Sequence, residues 1–116
     1  MSEIHDDRRI DPRFPTAGEA SFGPNGTVYK VPLLDLSLNG LRVQRPNDFA
    51  LDRGTHVQLA LSFPGADHFQ AEAIVQHIED EQIGLEFHAM GPRDFAVLVA
   101  LIEKHHHERV KRQLDA

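Results

Sequence analysis

Residues Thr55 to Phe63 read THVQLALSF, and this stretch decides the fold. Val57, Leu59, Leu61 and Phe63 share one parity, while His56, Gln58, Ala60 and Ser62 share the other. A strict period of two predicts a β-strand with one face against a core and the other outside. A helix would scatter the same four apolar side chains around its axis. The turn signal PGAD at Pro64 to Asp67 ends the run.

Further along the chain, Phe69 to Ile78 is apolar on both parities around Ala73, Ile74 and Val75, which predicts a central strand. EDEQ at Glu79 to Gln82 reads as a turn, and Ile83, Leu85 and Phe87 alternate again with Gly84, Glu86 and His88. Before it, Leu41 and Val43 alternate in LRVQ after a turn at Asn39-Gly40, a pair that permits positive φ. Thr27 to Ser37 predicts a longer strand in which Pro32 implies an edge position or a bulge. Ala17 to Phe22 is a weak first strand, stopped by GPNG at Gly23 to Gly26. Six short strands at this spacing predict a small antiparallel β-barrel or sandwich. From Pro92 the period changes: Phe95, Leu98, Leu101 and Ile102 follow a helical stripe, Asp94 suits the helix start, and Lys111 and Arg112 suit its end.

The 116 residues make one domain's worth of chain, with 41% hydrophobic and 26% charged residues, as in an ordinary globular domain. No apolar run approaches the roughly 20 residues of a transmembrane helix, so no membrane insertion is expected. MSEIHDDRR at the start carries no hydrophobic stretch, so no signal peptide is expected, and the absence of cysteine removes disulfides and thiolate metal sites. A cytoplasmic location is the expectation. With 12 Lys and Arg against 18 Asp and Glu, a net charge of −6, the chain is a poor candidate for a nucleic-acid polymer, which rewards dispersed positive charge.

Against that acidic balance, RRIDPR at Arg8 to Arg13 is a local basic cluster. Pro12 disfavours helix, so residues 1–16 read as a flexible, extended arm on which Arg9 and Arg13 lie roughly 13 Å apart. That span suits two phosphates, or a phosphate and a purine edge, because guanidinium donates bidentately to both. In DLSLNG at Asp35 to Gly40, a regular strand sends Leu34, Leu36 and Leu38 into the core and presents Asp35 and Ser37 together on the outer face. With Gly40 as a floor lacking a side chain, the pair would hold a flat heterocycle. Asp35 can accept from a guanine's ring N–H and exocyclic amine.

The ordered pair R-x-x-x-R at Arg9 and Arg13 and D-x-S-x-x-G at Asp35, Ser37 and Gly40, ahead of strands ending in IGLEF and a final helix, resembles the PilZ domain family of bacterial cyclic di-GMP receptors. The resemblance implies a six-stranded antiparallel β-barrel of the split-barrel kind over residues 17–90, an arm over 1–16 and a C-terminal helix over 91–116, standing alone as one domain. It also implies binding rather than catalysis. Arg9 and Arg13 would contact phosphates and guanine edges, Asp35 a Watson–Crick edge and Ser37 a phosphate or base. Gly40 would give steric room. Arg8 is a further contact, compatible with an intercalated pair of ligand molecules. On the barrel, His77 would stack on a base and Arg42 reach a phosphate. The ligand would change the conformation of the arm, and a downstream protein of unknown identity would read the change. The alternative is a PilZ-like interaction adaptor that does not bind the nucleotide.

The plainer readings are that the arginines pair with Asp6, Asp7 and Asp11, and that Asp35 and Ser37 serve only the hairpin backbone. No P-loop, G-x-S-x-G, G-x-G-x-x-G or H-E-x-x-H is present, so no enzyme is expected, and no cofactor. His105, His106 and His107 are consecutive on a helix and cannot converge on one ion; only Glu103 with His107 has a usable spacing, and no metal site is expected.

Overall fold

A computed structural model of the chain describes residues 13–65 and 67–115, the stretch 108–115 as helical backbone only. The elements in chain order are β1 (Phe14–Pro15), β2 (Glu19–Gly23), β3 (Tyr29–Leu36), β4 (Gly40–Gln44), β5 (His56–Ser62), β6 (His68–Ile78), β7 (Gln82–Ala89) and a helix, α1 (Pro92–Asp115). All pairings are antiparallel, in the order β1-β3-β2-β5-β6-β7-β4, and a β3–β4 pairing closes the ring. The six strands from β2 to β7 thus form a closed barrel, as the alternation and the family resemblance imply.

The core is what the period of two places inside. Val57, Leu59 and Leu61 of β5 are buried, as are Phe69, Ala71, Ala73 and Val75 of β6 and Ile83 and Leu85 of β7. β6 alternates more strictly than its composition suggests: Ile74 lies half-buried on the outer face rather than in a second core. Leu98 and Leu101 of α1 join the same core, which is why a helix of this polarity stays attached to the barrel. Its N-terminus is fixed by Asp94, whose carboxylate accepts from the Gln70 backbone N–H at 2.9 Å. Phe95, expected on the apolar stripe, is half-exposed instead, because the buried face runs through Leu98 and Leu101 one register to the side.

The expectation for β3 needs a correction. Leu34 and Leu38 do not enter the core; both are exposed, while Leu33 and Leu36 are buried. The β3–β4 register passes from Leu33↔Val43 to Asp35↔Arg42, so Leu34 is an extra residue on β3. This bulge resets the alternation, and every side chain after it has the parity opposite to that of an uninterrupted strand.

Of the arm expected over residues 1–16, the part before Arg13 lies outside the described residues. Its far end is anchored: Phe14 and Pro15 pair with Leu36 and Asp35 of β3, and Phe14 is buried. The ring of Phe14 stacks on His105 of α1 at 6.0 Å, and the His105 imidazole shares a 3.0 Å hydrogen bond with the Thr16 hydroxyl. Among the described residues, no helix is long and apolar enough to cross a membrane.

Candidate functional site

Four pairings place five residues in one lateral row around the barrel. Pro15 lies opposite Asp35, Asp35 opposite Arg42, Arg42 opposite Gly84, and Gly84 opposite His77. Adjacent strands are about 4.8 Å apart, so Asp35 to His77 spans about 14 Å of surface. The side chains of this row point outward, because Leu33, Leu36, Val43 and Leu85 fill the barrel interior. The bulge at Leu34 is what turns Asp35 to that face in register with Arg42.

Asp35 organises the row. Its Oδ2 accepts from Arg42 Nε at 2.9 Å, and its Oδ1 accepts from Arg13 Nη1 at 3.1 Å. The Asp35 side chain is only 15% exposed, whereas each arginine side chain is 38% exposed. A carboxylate so far removed from water needs charged partners, and here it has two. One negative charge is shared between two positive ones, while Glu86 and Glu79 border the hollows beside them.

Beside them the surface is hollow. A cleft of about 270 Å³ is bordered by Arg13, Asn39, Gly40, His77, Gly84 and Glu86, among others. A neighbouring hollow of about 250 Å³ shares Arg13, His77 and Gly84 and adds Arg42, Glu79 and Gln82. Gly84 provides the floor: a Cβ there would stand 3.2 Å from His77 Cβ and Cδ2, so any side chain would press on the imidazole. A larger hollow of about 810 Å³ adjoins the second one through Glu79 and Gln82 and adds Asp80 and Glu81, whose charge disfavours an anionic ligand.

The residues singled out in the sequence therefore separate into groups. Arg13, Asp35, Arg42, His77 and Gly40 are brought together on one face. Arg8 and Arg9 lie outside the described residues. Ser37 is not on that face. It is fully buried in the β3–β4 turn, where its Oγ accepts from the N–H groups of Asn39 and Gly40 and donates to the Gly40 carbonyl, each at 3.2 Å. The expectation that Asp35 and Ser37 stand side by side is corrected: the strand ends at Leu36, and Ser37 turns inward to satisfy backbone groups.

Gly40 also differs in its reason. It does not adopt a positive φ; it opens β4, and a Cβ there would overlap the Leu85 carbonyl oxygen of β7. Close approach of two backbones requires glycine here, not turn geometry. Gly84 is the site residue that the sequence analysis passed over. An isolated glycine inside the alternating run IGLEF was the available signal, since glycine weakens a strand unless something must come close.

The family model described as PilZ domain matches residues 7–104. No curated protein matches the chain. Among solved structures, Escherichia coli YcgR in complex with c-di-GMP is similar with a TM-score of 0.75 at 17% identity, over 93% of this chain and 50% of that one. The K. pneumonia MrkH–c-di-GMP complex is similar at 0.74 and 19% identity, over 90% of this chain and 54% of that one. The PilZ domain of YcgR with c-di-GMP, from Escherichia coli, is similar at 0.73 and 15% identity, over 94% of this chain and 99% of the domain. The chain spans about half the length of the first two and nearly all of the isolated domain. At these identities the likeness is one of fold.

Proposed function

The chain belongs to the PilZ domain family, and from that premise we propose that it is a receptor for cyclic di-GMP rather than an enzyme. The observation that carries this reading is the Arg13–Asp35–Arg42 arrangement beside a glycine-floored cleft with His77 at its far side. Two similar structures, YcgR and MrkH, carry c-di-GMP, which supports the same ligand here.

The chemistry is that of a preset charge. Two phosphodiesters bring two negative charges to the guanidiniums of Arg13 and Arg42, and Arg8 and Arg9 are two further guanidiniums on the preceding segment. Arg13 and Arg42 donate to phosphate oxygens or to guanine O6 and N7. Asp35, freed of one arginine, accepts from a guanine Watson–Crick edge. Gly84 lets a base approach the backbone, and His77 stacks on it. Ser37 acts through the turn that it holds.

Transmission follows from what adjoins Arg13. Phe14 and Thr16 both touch His105 of α1, so a shift of Arg13 towards a phosphate strains a short stretch of chain tied to the helix. The helix and the arm together would present the altered surface to a downstream protein. A cytoplasmic location belongs to the same reading.

The test is calorimetric titration with cyclic di-GMP combined with amide chemical-shift mapping. The expected result is saturable binding with shifts at Arg42, His77, Gly84 and His105. Absence of binding by the parent chain would favour the adaptor reading. Unchanged binding in both Arg13→Ala and Arg42→Ala would overturn the site.

A further inference from the structure

We propose that His56, Glu72 and His88 form a binding site for one divalent transition-metal ion of the zinc type, separate from the arginine–aspartate face. They lie on three adjacent strands, β5, β6 and β7, and each points out of the barrel, since Val57, Ala73 and Phe87 beside them pack inward. A ring nitrogen of each histidine and a carboxylate oxygen of Glu72 all lie within 4.8 Å of one another. A tetrahedral zinc site with bonds of about 2.0 to 2.2 Å holds its donor atoms about 3.4 Å apart, so side-chain rotation alone closes the difference.

The backbone accounts for the convergence. β5 and β7 flank β6 and are about 9.6 Å from one another, yet the His56 and His88 rings meet across it at 4.9 Å, edge to face at 81°. The β6–β7 register passes from Glu72↔Ala89 to Ala73↔Phe87, which makes His88 the extra residue of a bulge. A bulge re-aims a side chain that regular pairing would hold perpendicular to the sheet. Among the described residues, none of these three side chains takes part in another hydrogen bond or ion pair, so all three are available to an ion.

Two imidazoles and one carboxylate are a borderline-soft set that suits Zn²⁺ and its neighbours rather than Mg²⁺ or Ca²⁺. Three protein ligands leave a fourth position for water or a partner's donor. His56, Glu72 and His88 follow one another at intervals of 16 residues, too far apart to show as a local ligand spacing in the sequence. His88 is four residues from Gly84 along β7, about 13 Å, so the ion would stiffen three strands without entering the cleft.

The experiment is calorimetric titration of the whole chain with ZnCl₂, with melting temperature followed in parallel. The parent is expected to take up one equivalent and to melt higher with zinc, because an ion that binds only the folded state stabilises it. His56→Gln and His88→Gln are expected to lose both effects, while their far-ultraviolet circular dichroism stays that of the parent, both positions being exposed. The variant carrying His105→Gln, His106→Gln and His107→Gln is expected to keep both. Zinc binding that survives in His56→Gln and His88→Gln, or that disappears with the three helix histidines, overturns the proposal. So does a parent chain with no saturable uptake.

Discussion

Asp35 and Ser37 stand two residues apart in one motif and do opposite work. Asp35 sits on the outer face and holds two guanidiniums, whereas Ser37 is sealed in the β3–β4 turn and holds three backbone groups. Gly40, the third position of the motif, belongs with Ser37, because its role is to let β4 lie against Leu85 of β7. One position of the motif therefore holds charge and two hold backbone. The turn places Arg42 opposite Asp35, so Ser37 and Gly40 build the stage on which Asp35 acts.

That division can be broken most severely at Gly40. Gly40→Ala drives a methyl group into a backbone carbonyl, and a loss of about 3 kcal/mol is expected, the upper part of the range for overpacking. Chemical denaturation would read it, and a stability equal to the parent's would mean that β4 and β7 are not so close. Next come the charges. Arg13→Ala and Arg42→Ala should each weaken cyclic di-GMP binding roughly 10- to 150-fold, the worth of a charge-assisted hydrogen bond of about 1.5 to 3 kcal/mol. Each also leaves the largely buried Asp35 carboxylate with one arginine instead of two, so a stability loss of about 1 to 3 kcal/mol should accompany the weaker binding.

Ser37→Ala sharpens the contrast from the other side. It leaves two buried N–H groups without their acceptor and should cost about 1 to 3 kcal/mol of stability, lowering the melting temperature. Below that temperature the ligand affinity should fall far less than in Arg42→Ala; an equal fall would return Ser37 to the ligand's surface. The smallest effect is expected at the bulge. Leu34→Ser should change stability by no more than about 0.5 kcal/mol, while Leu36→Ala, on the core side, should cost about 2 to 5 kcal/mol. Similar costs at both would mean that β3 runs without its extra residue.

Much of the barrel was legible because burial writes a period into sequence. β5 and β7 were read from their alternation, and the helix from Pro92 and a change of period. The site was legible as residue types, since Arg13, Asp35, Arg42 and His77 were all named from sequence. What was not legible was parity. A bulge adds one residue without a mark of its own, and in the run VPLL at Val31 to Leu34 either leucine can be the extra one; Pro32 hints at irregularity two positions early. The same ambiguity hid His88, whose convergence with His56 depends on a second bulge. β1 escaped because two residues cannot display a period, and Phe14 is buried by a helix that lies some 90 positions away in the chain.

The closure of the ring by β3 and β4 bears on how such a domain meets other proteins. Over most of their length the six barrel strands have neighbours on both sides, so most of their main-chain donors and acceptors are spent within the molecule. Among the described residues, residues 29–32 of β3 pair with β2 alone and include Pro32, and β1 is two residues long, one of them also a proline with no N–H to offer. Annealing to a foreign strand, whether in a signalling complex or in a fibril, has almost nowhere to begin. Recognition must then rest on side chains.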